Sequence, residues 1–263
     1  MKKTIIYRIL TVCATIAIFI VVGFIAIMVP ANSKAFYRWQ FEKHNTLEWV
    51  QSQADGMGDS YSSKYNPEAE KYVANMTEVQ LEELMLHVMR YCMWIEDSLD
   101  ITVEGESLSV FRADEKSHLS DVRNLFGAGM IVTLISLLAC IVFLFFLLNR
   151  PKEYYESSRN VPFITLAVLV GLIAFVAVFA CIDFTVTFEI FHKILFTGNY
   201  SFSNGVMISM ISEIFPDLAL IIGISWLITL AIPIVALIFY NRHVAKKICA
   251  ENTKQSEETT ANA

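Results

Sequence analysis

Four long apolar stretches, at residues 5–29, 125–148, 161–182 and 218–240, constrain this chain more than any other feature. Each reaches the roughly 20 helical residues needed to cross a hydrocarbon core. The last three contain no charged side chain, and Arg8 in the first stands near enough to its start to snorkel toward headgroups. Composition agrees: 55% of the residues are hydrophobic, 17% are charged, and the mean hydropathy is +0.51. Soluble domains carry about 25% charged residues. The expected fold is therefore an all-α membrane protein with four transmembrane helices. A net charge of −6 leaves no basic stripe for nucleic acid. Five cysteines (13, 92, 140, 181 and 249) in so long a chain do not make a disulfide framework, and spacing does not decide whether Cys92 and Cys181 pair.

The first stretch follows Met1-Lys2-Lys3 but is longer than a signal-peptide core of about 7–15 residues, and no small-residue cleavage site follows it. It is expected to remain as a transmembrane anchor over residues 1–29. Short basic flanks set the orientation. Lys2, Lys3 and Arg8 precede the first span, Arg150, Lys152 and Arg159 separate the second from the third, and Arg242, Lys246 and Lys247 follow the fourth. Both termini are thus expected in the cytoplasm of a multi-pass plasma-membrane protein. Residues 30–124 form an extracytoplasmic, mainly helical cap and 125–182 a transmembrane hairpin. Residues 183–217 form a second external segment, 218–240 the last span, and 241–263 a cytoplasmic tail whose polar end composition suggests disorder.

The cap holds nine Lys/Arg against seventeen Asp/Glu, so its face is acidic. Thr77 and Gln80 have capping-box spacing ahead of the apolar stripe Leu81, Leu84, Met85 and Met89, which predicts a helix. Residues 52–66 read as a polar loop, and Asp114 could start a helix that continues into the second span. In the second external segment, Phe184, Phe188, Phe191 and Leu195 recur on one helical face. The apolar run 206–215 is too short to span and predicts an interfacial or re-entrant piece before the last helix.

Two histidines stand out. His118 has Glu115 and Asp121 three residues to either side, a spacing that puts carboxylates beside an imidazole and can set its tautomer and basicity. It lies about 10 Å before Leu125 along a helix, near the outer headgroups. His192 sits inside the aromatic stripe, where a titratable group is costly unless used or paired. Both also have simple structural readings, a solvated helix face for His118 and a headgroup contact for His192. His44, His87 and His243 carry weaker signals. A zinc site from Glu115, His118, Asp121 and His192 would match no established ligand spacing, so no metal or other cofactor is expected. The spans lack the ionisable groups of a pore or transporter, which directs attention to the outer surface.

With these residues in view, the chain resembles the integral membrane family of bacterial lipoprotein intramolecular transacylases, found chiefly in Gram-positive bacteria. The likeness rests on Phe36-Tyr37 with Phe41-Glu42-Lys43 after the first span, on Met76-Thr77 with Leu81, and on Glu115-x-x-His118-Leu119-x-Asp121-Val122-Arg123. Phe191-His192-x-x-Leu195-Phe196 and Phe215-Pro216 complete it. The sequence departs from the family at Tyr200, where Trp is usual, at 207–209, where an Asp is usual, and at Pro216-Asp217, where Pro-Glu is usual. The resemblance implies transfer of an acyl chain from the diacylglyceryl group to the α-amino group of a lipoprotein's N-terminal cysteine, giving a lyso-form lipoprotein. It implies His118 and His192 as the catalytic pair, with Asp121, Arg123 and Glu115 in support. Phe188, Phe191, Phe196 and Tyr200 would face the lipid-bearing substrate, and membrane lipids and a diacylated lipoprotein would be the partners. A non-enzymatic membrane protein binding lipid or partner proteins through its external domain is the alternative. It would be favoured by imidazoles more than about 10 Å apart.

Overall fold

The structure, a computed structural model, describes residues 2–57, 67–196 and 204–261. Its helices are α1 (Lys2–Ala31), α2 (Lys34–His44), α3 (Thr46–Ser52), α4 (Pro67–Ala74) and α5 (Glu78–Cys92), then α6 (Ala113–Leu148), α7 (Lys152–Ser158), α8 (Val161–Ile182), α9 (Phe184–Leu195), α10 (Val206–Ile211) and α11 (Phe215–Ala261). Strands β1 (Ile101–Val103) and β2 (Glu106–Leu108) form an antiparallel hairpin pairing Ile101 with Leu108. Among the described residues, α1, α6, α8 and α11 are long and apolar enough to cross a membrane, α8 extended back to Tyr154. Their large side chains are widely exposed, Phe175 at 72% for example, a surface that water would not tolerate and lipid does. The protein is thus a multi-pass helical membrane protein.

The chain divides into two compact units, Met1–Ala26 with Val132–Phe175 and Ile224–Ala263, and Ile27–Ile131 with Val176–Gly223. In the first, Phe19 meets Trp226 edge-on at 4.5 Å, Tyr7 stacks on Tyr154 at 5.2 Å, and the Tyr155 hydroxyl donates to Asn241 Oδ1 at 2.8 Å. Where composition suggested a disordered tail, α11 runs on as helix to Ala261. Glu, Lys and Gln in that stretch are good helix formers, and the preceding span supplies a nucleus to extend.

The second unit holds the cap. Thr77 caps α5 with a complete capping box, its hydroxyl accepting from the Gln80 N–H while Gln80 accepts from the Thr77 N–H. Leu81, Leu84, Met85, Val88 and Met89 then enter one buried core with Tyr37, Phe41, Val50 and Phe111. Helix α6 has polar first turns, 113–124, in the cap, and its apolar stretch begins at Leu125. A two-residue turn with positive φ at Glu104 and Gly105 closes the hairpin.

The run 206–215 is covered by protein. Val206, Met207, Met210 and Ile214 are buried in the same protein core, with α10 packed against α3. A ten-residue apolar run is too short to span but sufficient to plug a core, and here protein rather than lipid receives it. Helix α9 has an exposed apolar side. Asp183 caps it by accepting from the Val186 N–H at 2.9 Å, and Val186, Ile190, Phe191 and Ile194 are exposed apolar side chains on its outer side.

Candidate functional site: two stacked imidazoles in an aromatic cage

His118 comes from the polar lead-in of α6 and His192 from the last turn of α9, and the fold brings their rings to 5.9 Å between centroids, 23° from parallel. Phe188, one turn before His192, packs on its ring at 3.9 Å. Phe196 closes another side at 5.0 Å from His118 and 5.3 Å from His192, and Phe191 lies 5.5 Å from His192. Phe215, at the start of α11, backs Phe188 at 5.0 Å. Both histidines are largely withdrawn from solvent, at 8% and 6% exposure. Tyr200 lies outside the described residues.

The contact of His192 Nδ1 with the Phe188 carbonyl oxygen, at 2.8 Å, requires Nδ1 to carry the hydrogen, because a carbonyl only accepts. In the neutral ring the basic lone pair is then on Nε2. Burial pushes the pKa of His118 below its ordinary value, and the neighbouring His192 pushes it the same way, while the charge of Asp121 acts in the opposite sense. The net effect favours the neutral ring of His118, which still carries one N–H donor.

Glu115 is held by backbone donors. Its fully buried carboxylate accepts from the Arg112 N–H and the Met207 N–H, each at 2.8 Å. The first bond closes the start of α6 upon itself; the second ties α6 to α10. Arg112 reinforces the tie through the carbonyl and side-chain oxygens of Asn204, at 3.0 and 2.6 Å, and Gln53 accepts from the Gly205 N–H at 2.8 Å. Burial raises the Glu115 pKa to about 7, the two backbone N–H bonds opposing that rise. Gly205 is required here: its φ is +129°, and a Cβ on it would stand 2.3 Å from Glu115 Oε1.

Arg123 is held within the cap. Its guanidinium lies 4.4 Å from the Tyr91 ring centroid and 4.3 Å from that of Trp94, and it faces Asp97 at 3.4 Å. Trp94 in turn donates its indole N–H to the Arg123 carbonyl at 3.1 Å and fills the space beside Gly127. About two turns before Arg123 on α6, Lys116 pairs with Asp100 and reaches Ser109 Oγ at 2.7 Å. Sequence reasoning did not find the tie through Gln53, Asn204, Gly205 and Met207. Its one visible sign was Asn204-Gly205, a break before a short apolar run. Among the described residues, no three His, Cys, Asp or Glu side chains converge on a metal-sized position, and the five cysteines are all free.

Four apolar spans and two stacked imidazoles set among phenylalanine side chains describe a membrane-integral helical protein with a buried pair of titratable rings. The chain belongs to the lipoprotein intramolecular transacylase Lit family, whose model matches residues 11–217. It is similar to in meso structures of the membrane integral lipoprotein intramolecular transacylase from Bacillus cereus. One matches at 18% identity and TM-score 0.60, covering 92% of this chain and 97% of that one. A histidine-to-arginine variant of that protein matches at 16% and 0.59, covering 92% and 93%, and a histidine-to-alanine variant at 14% and 0.60, covering 92% and 94%. Among curated proteins, none matches. The family assigns the protein an acyltransferase-like part in lipoprotein modification, with lipid and lipoprotein as its partners.

Proposed function

We propose that this protein transfers an acyl chain within one diacylated lipoprotein, from the glyceryl ester to the α-amino group of the N-terminal cysteine, with His118 and His192 as the catalytic pair. The observation that carries the proposal is the 5.9 Å stacking of two imidazoles supplied by segments far apart in sequence. In the reaction the cysteine nitrogen attacks the ester carbonyl carbon. An N–C bond forms, the C–O bond to glycerol breaks, and one amine proton ends on the released glyceryl oxygen, so water takes no part. His192 Nε2 is the group suited to take that proton and return it to the leaving oxygen, its tautomer being held by the Phe188 carbonyl. His118 polarises the ester carbonyl and stabilises the oxyanion as a hydrogen-bond donor. Phe188, Phe191 and Phe196 supply apolar contact for the migrating chain. Asp121 biases the charge of His118, and Glu115 and Arg123 hold the elements that carry the site.

The membrane is the plasma membrane, with both termini in the cytoplasm and the histidines on the outer side, as the distribution of basic flanks supports. Expression in a host that lacks the activity, followed by mass spectrometry of lipoprotein N-termini, should reveal the lyso form. His118→Ala and His192→Ala should each lower its rate of formation by about 10²–10⁴-fold. If both variants produce it at the parental rate, the catalytic assignment is wrong.

A further inference from the structure

The first unit contains a cavity of about 770 Å³ between α1, α6, α8 and α11, within the roughly 300–1,000 Å³ range of ligand sites. It shares no residue with the histidine site. Its wall is apolar even where the sequence is not, because the hydroxyls of Thr11 and Thr15 donate to the carbonyls of Tyr7 and Thr11 in their own helix at 2.7 and 2.8 Å. Polar character gathers at one end, where Arg150, Ser158, Arg159 and Asn241 line the cavity.

Arg150 is the unusual group there. Its guanidinium lies 4.7 Å from the Tyr155 ring centroid and donates through Nη1 to Ser158 Oγ at 2.8 Å. Its Nε is buried and meets no acceptor among the described residues. A buried donor on a cation is costly without an acceptor, and an anionic oxygen is the acceptor that would also balance the charge. Arg159 adds a second positive group, partly offset by Glu156 at 3.2 Å.

We propose that this cavity binds an anionic phospholipid, one acyl chain lying in the apolar body and the phosphate held at Arg150 and Arg159. Basic pockets between transmembrane helices on the cytoplasmic side recognise lipid headgroups in this way, and the basic flanks assign this end to that side. A zwitterionic lipid brings its own cation to the two guanidiniums and is the poorer fit.

The test uses the full-length protein in nanodiscs of either phosphatidylglycerol or phosphatidylcholine, with retained lipid counted by native mass spectrometry and thermal unfolding followed in parallel. The parent should retain phosphatidylglycerol at least about fivefold better, the effect expected of one basic contact. Arg150→Gln should remove most of that preference, and Arg150→Lys should keep most of it. Ala167→Trp, which fills the cavity without changing charge, should abolish retention of both lipids. Should Arg150→Gln fail to fold, the lysine and tryptophan variants still decide. Equal retention of the two lipids by the parent, or parental retention in Ala167→Trp, would overturn the proposal.

Discussion

Substituting alanine for Gly205 tests the tie between α6 and α10 directly. A new Cβ would meet Glu115 Oε1 at 2.3 Å and Cδ at 2.8 Å, far inside contact distance. The carboxylate cannot swing aside cheaply, because it is fully buried and accepts two backbone N–H groups. Losing those two bonds costs about 1 kcal/mol each even when counted as neutral. A non-glycine residue at φ +129° and ψ 165° adds about 1–3 kcal/mol of strain. The expected loss is about 3–5 kcal/mol, or a fall in Tm of roughly 10 °C at about 2–4 °C per kcal/mol for a chain of this size. Thermal unfolding of the purified protein in detergent measures it. Removing the obstructing atoms first separates the two causes: in a Glu115→Ala background Gly205→Ala should cost only the strain. An equal Tm fall in both backgrounds would refute the shared contact. Acidity supplies a second reading. The folded pKa of Glu115, about 7, lies above its ordinary 4.5, so the folded state binds the extra proton between those values. The stabilisation is complete below pH 4.5 and is lost as pH rises through about 7, a change of about 3 kcal/mol that Glu115→Gln should flatten.

Two further outcomes follow from the site and the orientation. His192→Gln removes one of the two causes that depress His118, so the His118 pKa, followed by NMR of labelled histidine, should rise toward its ordinary value; an unchanged titration would show that the rings are not electrostatically coupled. In a background with Cys181 and Cys249 replaced by serine, Asp55→Cys should react with an impermeant maleimide added outside intact cells and Lys152→Cys should not; the opposite pattern would invert the assigned topology.

What could be read from the sequence depended on the range of the interaction responsible. Thr77 and Gln80 announced their helix start because a capping box closes within three residues, and the spans were visible because lipid imposes one length on every crossing. The continuity of α6 from Ala113 into its span was similarly local. The β1–β2 hairpin was missed although Glu104-Gly105 between short β-prone runs marks it. Run 206–215 was ambiguous in principle, since apolar residues do not declare whether protein or lipid will cover them. For the site, candidates were legible but not their meeting. His118 and His192 could be named, but their approach depends on α9 folding back against α6. The backbone N–H of Met207, from which Glu115 accepts, is a partner that no side-chain pattern records.

The exposed apolar side of α9 has a kinetic consequence. Under the proposed transfer, with Val186, Ile190 and Ile194 turned outward and His192 turned inward on the same helix, a lipidated polypeptide would reach the imidazoles by lateral drift through one leaflet and never cross an aqueous gap. Encounter is then two-dimensional. The quantity that governs turnover becomes the mole fraction of substrate among surrounding lipids, so dilution by added phospholipid should slow the reaction while dilution by added buffer leaves it alone.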